Sequence, residues 1–85
     1  MELQQLFEQA VVNSKTLNEK PDNETLLKLY SLFKQATEGD NNQEAPSNPF
    51  DFVARAKHAA WENLKGTTNE SAKQQYVDLV NQLKE

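Results

Sequence analysis

Tyr30, Phe33 and Lys34 fall within one helical turn of each other in the stretch LYSLFKQATEGD, residues 29–40. Side chains three and four apart are neighbours on a helix face, so a phenol, a phenyl ring and an ammonium stand together. A phenol hydroxyl and an ammonium so placed can both donate to a phosphate oxygen. A ring beside them can stack a purine. The chemistry on offer is the binding of something flat and negatively charged. The same spacing also fits an apolar stripe, and a lone helical lysine is ordinarily solvated. Taken by itself, this helix is better explained by core packing. Lys57 and Trp61 form a second i, i+4 pair, Tyr76 adds a ring with a polar tip, and Lys15 adds another cation. Spacing along the chain does not decide whether these groups converge; ordinary core packing is the favoured reading of Trp61, and for Tyr76 a place at the core boundary is as good a reading as a binding role.

Catalysis has little to work with. The sequence has no cysteine and a single histidine, His58, in RAKHAAW. A serine nucleophile would need that histidine as its base. The helical pattern sets His58 off the apolar stripe, as a surface or boundary residue. One histidine and scattered acids, among them Asp40 and Glu44, offer no metal-ligand spacing. Two isolated glycines cannot build a phosphate loop. No catalytic residue, metal or cofactor is expected.

The elements that would position a binding site can be read from periodicity. Leu3, Leu6, Phe7, Ala10 and Val11 line one face of a first helix, which fades near Ser14. Asp22 or Asn23 can cap a second helix, with Glu24 near its positive end. Its stripe is Leu26, Leu29, Tyr30 and Phe33, widened by Leu27 and Ala36. Gly39 suits the left-handed conformation that closes a helix. Residues 40–48, DNNQEAPSN, form a long polar loop. Asn48 then caps a third helix with Pro49 in its first position. Phe52, Val53, Ala56, Ala60 and Leu64 line its inner face, extended by Ala59 and Trp61, and Gly66 ends it. Thr67-Thr68-Asn69-Glu70 reads as a capping box before a last helix striped by Ala72, Tyr76, Leu79, Val80 and Leu83. No strand pattern survives between the turn signals. The expected architecture is an all-α, four-helix bundle forming one domain over residues 1–85. The short turn at Gly66 makes the last two helices antiparallel neighbours. A crossover in the long loop lets the second and third helices run in similar directions.

Composition limits the partners. Nine basic residues face thirteen acidic ones, for a net charge of −4. Binding to nucleic acid or to anionic membranes over a broad surface needs a basic face, so neither is expected. A few local lysines can still hold an anion, since distant charges are screened beyond roughly 8 Å. MELQQLFEQAV has no basic segment followed by an apolar run, so it does not read as a signal peptide. No apolar run is long enough to span a membrane. A cytoplasmic monomer is the expectation.

LYSLFKQATEGD, then Pro46, Asp51-Phe52, RAKHAAWENLKG and AKQQYVDLV, together resemble the acyl-CoA-binding protein family. That family's pattern is Y-x-x-Y/F-K-Q-A-T-x-G-D, a proline, K-A-K-W-x-A-W-x-x-x-x-G and a tyrosine in the last helix. The F-x-x-A of the first helix and Lys20-Pro21 fit as well, so the resemblance covers essentially the whole chain. It implies up-down-down-up connectivity and non-catalytic binding, buffering and transport of medium- and long-chain acyl-CoA esters. By the same resemblance, Tyr30, Lys34 and Lys57 would meet the 3′-phosphate of the CoA ribose, in a ligand-binding run that includes Ser31 and Leu32. Phe33 would meet the adenine. Tyr76 would stand near the nucleotide and Lys15 at the site's edge. Ala10 and Val11 would line the acyl-chain groove. Transient contact with membranes or with acyl-CoA-using enzymes is also implied.

The chain departs from the family pattern at informative positions. Phe33 lacks the hydroxyl of the usual tyrosine, a loss of roughly 0.5–1.5 kcal/mol if that group bonds the ligand. His58 stands where the family has its first tryptophan. Val53, Ala54 and Ala45 make the rim less basic, and one extra residue lies between Pro46 and Asp51. These changes leave an alternative from another class: a helical protein-interaction module that keeps the fold and has weak or no acyl-CoA affinity.

Overall fold

The computed structural model describes residues 2–84, with helices α1 (Leu3–Ser14), α2 (Asn23–Glu38), α3 (Phe52–Glu62) and α4 (Asn69–Lys84). No strand occurs among the described residues. The N–H groups of a helix's first turn have no carbonyl partner within the helix, and three starts supply a side-chain oxygen instead. Asp22 Oδ1 accepts from the Thr25 N–H at 2.8 Å, Asp51 Oδ1 from Ala54 at 3.1 Å, and Thr68 Oγ1 from Ser71 at 3.0 Å. Each such cap contributes about 1 kcal/mol. Two of these starts differ from the sequence expectation. Asn48 does not cap α3: its side chain accepts from Phe50 N–H at 2.9 Å and its carbonyl from Asp51 N–H at 3.2 Å, closing a turn before the helix. The cap of α4 falls on Thr68, one residue after the Thr67 that opens the capping-box pattern.

Both glycines stop helical stretches with positive φ, +83° at Gly39 and +92° at Gly66. A Cβ would be strained in either place.

Contacts between the helices fix their directions. α4 packs on both α1 and α2, while α3 packs on α2. Asn69, at the start of α4, donates to the carbonyls of Gln35 and Ala36 near the end of α2, at 3.1 and 3.0 Å. Those two helices are therefore antiparallel. Asn13 and Leu83 wall one cleft, so α1 and α4 end together and run parallel. Leu26 and Leu27 lie beside Val53 near the starts of α2 and α3, and Gly39 meets Trp61 near their ends, so that pair is parallel too. The course is up-down-down-up, and residues 39–51 make the crossover that parallel neighbours require. α3 and α4 do run in opposite directions, but they are not the packed neighbours the short turn suggests: α2 lies between them. The molecule is thin, 41 × 28 × 15 Å.

The core holds Phe7, Ala10, Leu29, Leu32, Ala36, Ala72, Tyr76, Val77 and Val80, flanked by Leu6, Val11, Leu64, Leu79 and Leu83. On α2 the buried face is rotated from the expected stripe. Leu29, Leu32 and Ala36 are buried with Ser31 and Gln35, whereas Tyr30 and Leu26 are half-buried and Phe33 is 38% exposed. The reason is tertiary: the side of α2 that meets α4 takes small and polar residues where the helices come close. The third helix also departs from expectation. Only Trp61 of α3 is buried, and Phe52 and Val53 are 70% and 65% exposed. With one helical neighbour, α3 can cover only a narrow strip of itself. No helix among the described residues is long and apolar enough to cross a membrane.

Candidate ligand-binding face

Parallel packing of α2 and α3 brings the two i, i+4 lysine pairs to one place. Lys57 Nζ lies 5.2 Å from the centroid of the Tyr30 ring, and Lys34 Nζ lies 6.0 Å from the same centroid. Lys34 also stands 5.3 Å from the Trp61 ring. All three separations fall within the roughly 6 Å reach of cation–π attraction. One phenol thus gathers two ammonium groups, the donor set that suits a phosphate dianion. The two cations are not equivalent. Lys34 is hydrogen-bonded and ion-paired to Glu38, one turn on. That carboxylate holds the Lys34 pKa above the ordinary lysine value, while partial burial pulls it down. Among the described residues no carboxylate pairs with Lys57.

Phe33 sits beside this pair with a face partly open. It stacks on Phe7 of α1, centroids 6.0 Å apart and planes 25° apart, and Phe7 meets Tyr76 edge-on at 5.2 Å. Tyr76 is 4% exposed. Its hydroxyl donates to Ser14 Oγ at 3.1 Å, and Ser14 donates in turn to the Val11 carbonyl at 2.7 Å. Tyr76 therefore braces Phe33 from below and has its polar tip already engaged.

An apolar groove of about 360 Å³ adjoins Lys57, between the first halves of α2 and α3. Leu26, Leu27, Phe52, Val53 and Ala56 wall it, with Asn23 and Lys57 contributing polar edges. Sequence reasoning missed this groove. The available signal was the Leu26-Leu27 pair: adjacent residues on a helix point about 100° apart, so they serve two different neighbours.

The structure does not bring the other expected residues here. Ala10 is 3% exposed within the core and Val11 packs against that core, so α1 offers no open apolar channel at those positions. Ser31 and Leu32 are 4% and 6% exposed and turn toward α4, where they border a shallow cleft with Gln75 and Asp78. Leu32 is two positions from Tyr30, nearly the opposite side of the helix. Lys15 stands exposed at the end of α1, next to the Ser14 that meets Tyr76.

Gln35, Gly39 and Asp40, in the second half of LYSLFKQATEGD, are structural. Gln35 is fully buried, and its amide donates to Asp40 Oδ1 at 2.8 Å and to the Thr67 carbonyl at 2.7 Å. Asp40 Oδ1 also accepts the Gly66 N–H at 2.9 Å. That backbone donor, then Gln35, lowers the Asp40 pKa below the ordinary carboxylate value, and nearby Lys65 adds to the effect. Trp61 Nε1 donates to the Gly39 carbonyl at 2.8 Å. These bonds tie the end of α2 to the end of α3 and the start of α4. His58 is half-buried at the edge of this region, with Nε2 3.1 Å from the Gln43 carbonyl. No cluster of potential metal ligands occurs among the described residues.

Comparison with known proteins bears on this geometry. Residues 4–80 match the family described as Acyl CoA binding protein. The acyl-CoA-binding protein of Saccharomyces cerevisiae is 48% identical over 79 residues, covering 93% of this chain and 90% of that one. The crystal structure of Oryza sativa acyl-CoA-binding protein 2 superposes with a TM-score of 0.90 at 38% identity, covering 96% of this chain and 90% of that one. Enoyl-CoA delta isomerase 2 of Rattus norvegicus is 49% identical over 80 residues, which make up 94% of this chain but only 20% of that protein. Matched along nearly its whole length in sequence and in fold, the chain belongs to the acyl-CoA-binding protein family.

Proposed function

We propose that this protein binds medium- and long-chain acyl-CoA esters without transforming them, and buffers and carries them in the cytoplasm as a monomer. The observation that carries the reading is the pair of lysines gathered on Tyr30 beside an apolar groove. In this account the 3′-phosphate of CoA receives hydrogen bonds from Lys34, Lys57 and the Tyr30 hydroxyl. The adenine lies against the open face of Phe33, and Lys15 borders the nucleotide. The acyl chain occupies the groove between α2 and α3 rather than the Ala10–Val11 side of α1. Each buried CH₂ contributes about 0.8 kcal/mol, less the cost of ordering the chain, so a long chain outweighs any one polar contact.

A second reading has its own support. Phe50, Phe52 and Val53 are 80%, 70% and 65% exposed at the start of α3. Such a patch suits transient contact with a membrane or an acyl-CoA-using enzyme, and it also suits an interaction module without a ligand. Calorimetric titration with palmitoyl-CoA, free CoA and palmitate separates the readings. One-to-one binding of the ester, much tighter than either part, is expected. No binding of the ester would overturn the carrier reading and leave the interaction module.

A further inference from the structure

We propose that Glu38 is a built-in competitor for Lys34, and that it sets how tightly this site holds a phosphate. The inference rests on the reading of Tyr30, Lys34 and Lys57 as the phosphate site. Lys34 Nζ is ion-paired to Glu38 Oε2, and the two side chains are 24% and 47% exposed. The ammonium also lies within cation–π reach of both the Tyr30 and the Trp61 rings. With the ammonium held at this place, its carboxylate partner stands beside any ligand that it meets. A phosphate that reaches Lys34 must therefore either displace Glu38 or sit beside a second anion. Glu38 is also the last residue of α2, where the helix dipole is negative and disfavours a carboxylate. Its position works against helix stability, and Lys34 is the cation that offsets it. Lys57, with no such partner among the described residues, is the unopposed cation of the site.

The test is Glu38→Gln, which removes the charge and keeps the shape. Wild type and variant are titrated with palmitoyl-CoA and with 3′-dephospho-palmitoyl-CoA. The variant should bind palmitoyl-CoA about two- to fivefold more tightly, the range of one exposed ion pair. Its affinity for the dephospho ester should not change, and its melting temperature should not fall. A variant that gains affinity equally for both esters, or for neither, overturns the proposal. If neither protein binds either ester, the phosphate-site reading fails and the proposal falls with it. A variant that binds where wild type does not would support the proposal at its strongest.

Discussion

Lys34 and Gln35 are consecutive residues, and the regions they head behave in opposite ways. Gln35, Gly39 and Asp40 turn their polar groups toward neighbouring helix ends: both amide hydrogens of Gln35 are donated, Asp40 takes two donors, and the Gly39 carbonyl takes the Trp61 indole. One acceptor there, Gln35 Oε1, is buried without a partner. Tyr30, Phe33 and Lys34 face the other way, gathering Lys34 and Lys57 of α3 on the Tyr30 ring and opening Phe33 to one side. One sequence motif thus contains a cationic face followed at once by a lock for three helix ends. The difference teaches that a dense motif is not a single signal. Its halves make different contacts, and variants should separate them.

Trp61 touches both regions, through its indole N–H in the lock and its ring under Lys34. Trp61→Ala should have the largest effect. Truncating a buried tryptophan costs roughly 3–5 kcal/mol, which lowers the melting temperature of so small a domain by more than about 10 °C. Thermal unfolding followed by circular dichroism checks this, and an unchanged midpoint would remove Trp61 from the core.

Lys57→Ala acts on the face alone. Losing a charge-assisted hydrogen bond should weaken palmitoyl-CoA binding about 10- to 100-fold, with the melting temperature nearly unchanged. Titration against the dephospho ester sharpens the result, because that ligand should not register the change.

How much of this was legible in the sequence follows the same division. The extent of α1, the Asp22 cap and the glycine stops were readable, because periodicity, caps and positive φ are local properties. The Tyr30–Lys34 pairing was readable too, from the i, i+4 rule. The convergence of Lys57 on Tyr30 was not, since it requires α2 and α3 to run parallel; only the family resemblance supplied it. The buried face of α2 was misread because Ser31 and Gln35 look like surface residues until α4 is placed against them. The exposure of Phe52 and Val53 was equally hidden, because it depends on α3 having one neighbour instead of two. The same holds for apolar surface: Ala10 is buried and Val11 packs on the core, while Leu26, Leu27, Phe52 and Val53 wall an open groove, because which apolar residues remain open is decided by packing.

Smaller effects remain useful. Phe33→Tyr restores a hydroxyl on the open ring. It should tighten ester binding by about two- to tenfold if that group reaches the nucleotide. Weaker binding in the same titration would place the adenine elsewhere. The smallest effect concerns acid. The Asp40 carboxyl is held below its ordinary value of 3.8 by Gly66, Gln35 and Lys65. Its contribution to stability is therefore complete above that value and is lost as pH falls through the lowered folded value. Asp40→Asn should melt below wild type at neutral pH. The gap should close as the pH is taken well below the ordinary value of 3.8. A gap that widened on acidification would reverse the assigned sign.

The most direct measurement compares Lys34→Ala with Gln35→Ala, each for melting temperature and for palmitoyl-CoA affinity at a temperature where both are folded. The account predicts a crossing. Lys34→Ala should lose about tenfold or more in affinity and hold its melting temperature within a few degrees. Gln35→Ala should lose about 5–15 °C, for the partners left unpaired in the lock, and keep its affinity within about twofold. A folded Gln35→Ala protein that no longer binds, or a Lys34→Ala protein that binds like wild type, would contradict the division of this motif into lock and face.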